Sequence, residues 1–177
     1  WKQTVEDAAI CGQKFVISPW LDHSYFVSSD EMKKAMDTLN KAGELCHKSG
    51  MQFGYHNHDF EFEKYEDTLV YDFIINSTSA DLVKMELDLY WISKAGQDPV
   101  AYFEKYPKRF HLWHVKDMAA GTKEITEVGN GTIDFDRIFA AKEKAGMKYW
   151  FVEQDTTKGD IFESITTSKN NLAKKKY

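Results

Sequence analysis

The sequence predicts an α/β chain of five parallel strands, each followed by a helix, arranged as part of a (β/α)8 barrel. Three observations carry this expectation. Strand-like runs alternate with helical patterns along the 177 residues, and strands joined by helical crossovers pair in parallel. Within the strands the alternation is charged against apolar: Val83, Met85, Leu87 and Leu89 make one face, and Lys84, Glu86 and Asp88 the other. A doubly wound sheet is covered on both faces and reads as continuous apolar strands, so helices are expected here on one face only. Finally, His56, Asp88, His114 and Glu153 fall late in their strands, where β/α barrels gather their active residues. A complete barrel needs about 250 residues, so five strands make up part of one.

The elements follow in order. The chain opens on Trp1 inside a helical pattern, and the apolar run 15–20 is a short strand that Pro19 terminates. Ser28 with Glu31 forms a capping box. Met32, Ala35, Met36, Leu39, Ala42 and Cys46 then recur at helical spacing until Gly50. A strand is expected over 52–60, a weaker helix over 71–76 and a strand over 82–91. Asp98-Pro99 supplies an N-cap with proline at the first helical position, and that helix closes before Pro107. Residues 110–116 read as a strand, and Asp134 caps a helix over 135–145 that Gly146 ends. Residues 149–153 read as the last strand, and Asp160 with Glu163 opens a final helix through Leu172.

Composition sets the bounds. A chain that is 42 % hydrophobic can bury a substantial core, and a single domain over 1–177 is the natural expectation. A net charge of −5 with a pI near 5.7 argues against nucleic-acid or anionic-membrane partners. The basic cluster Lys174-Lys175-Lys176 reads as a solvated helix end. Cys11 and Cys46 fit no metal or redox spacing and read as free thiols in a reducing compartment. No apolar stretch is long enough to span a bilayer and no signal peptide is visible. A cytoplasmic location is expected.

The chemistry concentrates at the strand ends. In Tyr55-His56-Asn57-His58-Asp59, strand alternation points His56 and His58 the same way. Two imidazoles and two carboxylates, from His56, His114, Asp88 and Glu153, suit a divalent ion such as Mn, Zn, Co or Fe(II) without selecting among them. A lone strand histidine is more often bonded to a carbonyl; four such residues at strand ends favour a site. His58 reads equally as a supporting or a substrate-binding residue. Lys116 reads as a partner for Glu86 or Asp88, or as an electrostatic stabiliser of a developing oxyanion. Gly129-Asn130-Gly131 is too short for a phosphate loop and reads as a turn. Trp20, Trp91 and Trp113 suit either an aromatic wall or the core. His23, His47 and His111 have no partners at useful spacing.

Five segments together resemble a known family: Gly54-Tyr55-His56-Asn57-His58-Asp59-Phe60, Glu86-Leu87-Asp88-Leu89-Tyr90-Trp91, Trp113-His114-Val115-Lys116-Asp117, Val128-Gly129-Asn130-Gly131-Thr132-Ile133-Asp134 and Phe151-Val152-Glu153-Gln154-Asp155. They are similar to the sugar phosphate isomerase/epimerase family of the xylose isomerase-like TIM barrels, in order, over essentially the whole chain. The resemblance implies a partial (β/α)8 TIM barrel holding strands four to eight, with the first three βα units upstream of Trp1. It implies one divalent metal (Mn, Zn, Co, Mg or Fe) held by His56, Asp88, His114 and Glu153. It also implies Glu153 as the proton-transfer base, with Lys116 and His58 as further catalytic candidates. His56 stands where many members have Glu, and Trp91 where many have His.

The function this implies is a metal-dependent isomerase or epimerase of a small carbohydrate, working through an enediolate. A keto-sugar or keto-inositol dehydratase is the alternative, since elimination can run with one base and one acid. Endonuclease IV shares the barrel, but Trp91 and the negative charge argue against repair of nucleic acid. A fragment that is inactive or merely binds sugar is the non-enzyme alternative. The partner expected is a small sugar, with neither nucleic acid nor membrane, and with homo-oligomerisation left open.

Overall fold

The computed structural model describes every residue except Lys176, so one residue of the C-terminal basic cluster lies outside the described residues. Five parallel strands form one sheet in sequence order: β1 Phe15–Ser18, β2 Gln52–His56, β3 Val83–Asp88, β4 Leu112–Val115 and β5 Tyr149–Val152. The order is the one the strand–helix alternation predicts. The chain groups into two compact units, Trp1–Glu86 and Leu87–Tyr177, and the division falls inside β3.

In the first unit, α1 Lys2–Ile10 leads into β1, and α2 Ser29–Lys48 leads into β2. Ser28 accepts from the Glu31 amide at 3.2 Å, the N-cap half of the expected capping box, while the Glu31 carboxylate accepts from Lys34 at 2.7 Å. The stripe Met32, Ala35, Met36, Leu39, Ala42 and Cys46 is buried, as its spacing predicts. Gly43 is fixed by close approach, because a Cβ there would lie 2.8 Å from the Leu82 carbonyl oxygen. Phe53, Tyr55, Val83 and Met85 are fully buried on the apolar side of their strands. β1 lies at one end of the strand order, yet Phe15, Val16 and Ile17 are half-buried rather than exposed. The helix α3 Val70–Ser77 follows a short ribbon that pairs Lys64–Tyr65 with Thr68–Leu69.

The second unit carries α4 Leu89–Lys94, α5 Pro99–Lys105, α6 Phe135–Ala140, α7 Lys142–Ala145 and α8 Ile161–Ala173. Trp113 is fully buried, stacked on Phe103 at 5.1 Å with Phe139 edge-on at 5.3 Å. Trp113 is therefore core and takes no part in an aromatic wall. β5 is the more exposed terminal strand, with Tyr149 53 % and Phe151 49 % exposed.

Three expected elements change. The strand expected over 52–60 stops at His56, and a 3-10 turn occupies Phe60–Phe62. The strand expected over 82–91 stops at Asp88, because its side chain accepts from the Tyr90 and Trp91 amides at 2.8 and 2.9 Å and starts α4 instead. The helix expected over 135–145 is interrupted at Ala141. None of the described helices is long and apolar enough to cross a membrane.

The loop after β4 is organised by one buried carboxylate. Asp117 accepts from the amides of Met118 at 2.8 Å, Gly129 at 2.9 Å, Gly131 at 3.0 Å and Ile133 at 3.2 Å. The Gly-Asn-Gly turn thus spends two of its amides on an internal anion, which leaves it a turn and not a phosphate cradle. A Cβ at Gly131 would lie 2.2 Å from Asp117 Oδ1, so only glycine fits. Asp117→Ala strands four amides and is expected to cost about 3–5 kcal/mol in urea unfolding, with Asp117→Asn costing less. A loss under about 1 kcal/mol would show that the loop does not depend on this carboxylate.

Candidate metal centre

The site is built from strand ends in the second unit. Asp88 is fully buried and divides its oxygens. Oδ1 caps α4, while Oδ2 lies 3.1 Å from Lys116 Nζ and 3.9 Å from His114 Nδ1. Capping locks the carboxylate, so one oxygen stays aimed at the polar side of the sheet. His114, 19 % exposed at its side chain, reaches that side from β4, with Nδ1 3.0 Å from Glu153 Oε2. Glu153 directly follows β5 and is half-exposed. Lys116 follows β4 with its side chain 1 % exposed, and its Nζ lies 2.5 Å from Glu153 Oε2 and 2.9 Å from Asp155 Oδ2.

The charges reinforce one another. Burial works to raise the Glu153 pKa, but hydrogen bonds from His114 and Lys116 outweigh it and hold the carboxyl well below its ordinary value. Burial likewise works to lower the Lys116 pKa, and the Asp88, Asp155 and Glu153 carboxylates overcome it, so the ammonium is held above the ordinary lysine range. At neutral pH the unit therefore presents an ionised Glu153 beside a charged Lys116 ammonium.

His56 and His58 belong to the first unit. His56 ends β2 in register with Glu86, and its Nδ1 lies 3.4 Å from Glu86 Oε2. His58 lies beyond the strand, so strand alternation does not place it. Its ring nevertheless meets that of His56 edge-on at 5.0 Å and stacks on Phe60 at 6.1 Å. A buried carboxylate, Glu61, holds this turn by accepting from the His58 amide at 2.8 Å and from Tyr55 Oη at 2.6 Å.

Of the expected residues, Asp88, His114, Glu153 and Lys116 come together in one unit, and His56 and His58 come together in the other. Asp155 joins the former group, with Oδ2 2.9 Å from Lys116 Nζ, a site residue that the sequence reading does not identify. It lies past β5, so strand alternation does not place it, and its pairing with Lys116 is a tertiary contact.

The donors suit a metal. Asp88, His114 and Glu153 each offer a ligand atom within 4.8 Å of the other two, close to what two bonds of about 2.0–2.2 Å span. One imidazole with two carboxylates is a borderline set, matched to Zn, Mn, Co or Fe(II). An ammonium, that of Lys116, already lies against two of these oxygens.

The profile of the xylose isomerase-like TIM barrels matches residues 1–170. The chain belongs to that family. An inosose dehydratase of Clostridium beijerinckii is 27 % identical over 178 residues, covering 89 % of this chain and 59 % of that protein. A sugar phosphate isomerase/epimerase from Parabacteroides distasonis superposes with a TM-score of 0.85 at 30 % identity, over 97 % of this chain and 61 % of that one. The IOLI protein, solved with a binding zinc atom, superposes with a TM-score of 0.74 at 19 % identity, over 98 % of this chain and 66 % of that one, and so shares the fold. The chain spans about three fifths of the length of the curated relatives it matches.

Proposed function

We propose that this member of the xylose isomerase-like family is a metal-assisted enzyme acting on a small keto-sugar or keto-polyol, which it isomerises or epimerises. The observation that carries the reading is the convergence of Asp88, His114, Glu153 and Lys116 on the polar side of the strand ends. Asp88, His114 and Glu153 would hold one divalent cation, and His56 is the fourth ligand that the family resemblance implies. When bound, such a cation polarises a carbonyl and holds the neighbouring hydroxyl in the same plane.

The protein side chains do the rest. Glu153, ionised at neutral pH, takes the proton from the carbon next to the carbonyl. The C–H electron pair moves into the carbon–carbon bond and the carbonyl pair onto oxygen, giving an enediolate. Lys116, held cationic by its carboxylates, stabilises that oxygen by hydrogen bonding. His58, stacked on Phe60, remains the further acid–base candidate that the family resemblance implies.

Dehydration is the second reading. The inosose dehydratases among the relatives favour it, and so does His56, which leaves a histidine where a second carboxylate would serve epimerisation. The two readings share the first proton transfer and part afterwards. Incubating the metal-loaded protein with keto-hexoses and keto-inositols in D2O separates them. Deuterium retained at the carbon next to the carbonyl in an isomeric product supports isomerisation, and an enone or diketone product supports elimination. No exchange with any member of either series would sink both.

A further inference from the structure

Lys116 is a deeply buried cation whose three carboxylate partners are not equivalent. Asp88 Oδ2 at 3.1 Å and Glu153 Oε2 at 2.5 Å belong to the ligand set, whereas Asp155 Oδ2 at 2.9 Å does not. Asp155 lies past β5 with its side chain 40 % exposed, and Lys116 is its hydrogen-bond partner. A divalent cation that engages Asp88 and Glu153 takes the oxygens that the ammonium now holds. Two positive charges cannot share them at full strength, and an ammonium this buried cannot be left without a counter-charge. The third carboxylate resolves the conflict, since it offers the ammonium a partner that the cation does not need.

We propose that the Lys116 ammonium and the divalent cation are alternative partners of Asp88 and Glu153, and that Asp155 is the positioning residue that keeps Lys116 in the site once the cation has taken those oxygens. In the metal-free protein the ammonium holds the ligand carboxylates together against their mutual repulsion. In the loaded protein it stays on Asp155, beside the substrate oxygen it is to stabilise. The proposal rests on the ligand reading above and makes the opposite forecast from a purely structural role. A strut that shaped the site would weaken metal binding when removed, whereas a competitor strengthens it.

Titration calorimetry with Mn2+ and with Zn2+ at neutral pH tests this on the wild-type chain, Lys116→Met, Asp155→Asn and the double variant. Lys116→Met is expected to bind about tenfold tighter or more, because the competing charge is gone. Asp155→Asn is expected to bind about three- to tenfold weaker, and its effect is expected to shrink below about twofold in the Lys116→Met background, the signature of two residues acting through each other. Equal or weaker binding by Lys116→Met overturns the proposal, as does an Asp155→Asn effect that is the same in both backgrounds. If Lys116→Met does not fold, Asp155→Asn alone decides, and wild-type affinity in that variant overturns the proposal. A wild-type chain that binds neither ion removes the ligand set itself, which is a different failure from a wild type that binds and variants that do not respond.

Discussion

Replacing His114 with alanine is expected to abolish tight binding of a divalent ion. Loss of a residue that only supports a ligand costs about 10–100-fold in metal affinity, and loss of the imidazole itself is expected to exceed that. His114 is the nitrogen donor between Asp88 Oδ2 and Glu153 Oε2. Its removal takes away a nitrogen donor and leaves a set richer in carboxylate, with lower preference for Zn, Co or Fe. The side chain is 19 % exposed at the end of a strand, so truncation opens no core cavity, and circular dichroism of the variant should match the wild type. Metal content and titration calorimetry give the result. Unchanged stoichiometry and affinity in His114→Ala would remove this residue from the ligand set.

Replacing Glu153 with glutamine is expected to separate metal binding from proton transfer. The amide keeps a weak oxygen donor and cannot accept a proton, so some metal should remain while deuterium exchange next to the substrate carbonyl falls by at least about 10²-fold, the usual range for a lost general base. The same substitution removes the charge from the shortest contact of Lys116, whose ammonium keeps Asp88 and Asp155 as its anionic partners. Glu153→Asp is the informative companion. It keeps the charge and withdraws it by one methylene, so it should retain more metal than Glu153→Gln and lose exchange through distance alone. If Glu153→Gln exchanges deuterium at the wild-type rate with metal bound, the base is another residue, and His58 or Lys116 comes next.

Much of the fold was legible because its signals are local. The N-cap at Ser28, the apolar stripe of the helix after it and the strand over residues 83–88 rest on patterns of a few residues, and all three appear as expected. Boundaries were less legible where a side chain intervened. Residues 82–91 alternate as a strand should, but Asp88 accepts from two amides ahead of it and turns Leu89–Lys94 into a helix. The break at His56 has a comparable cause. Glu61 takes the His58 amide, so His58 reaches its place through a turn held by a buried carboxylate and not through strand alternation.

Taken alone, the sequence determined the side of the sheet for the candidates that stand within strands or directly at their ends. Side-chain direction in a strand depends on residue parity, and parity is written in the numbering. It therefore placed Asp88, His114 and Glu153 together at the polar strand ends, and the motifs named the family. Tertiary structure decided how these groups share charge. Lys116 meets Asp155 and His114 meets Glu153 across 39 residues of chain, and Asp117 gathers amides up to 16 residues away. Those pairings follow from how adjacent strands and the loops beyond them pack, and no local period encodes them. Which carboxylate an ammonium chooses depends on distances of a few ångströms between segments remote in sequence, because the interaction falls off with separation and strengthens with burial.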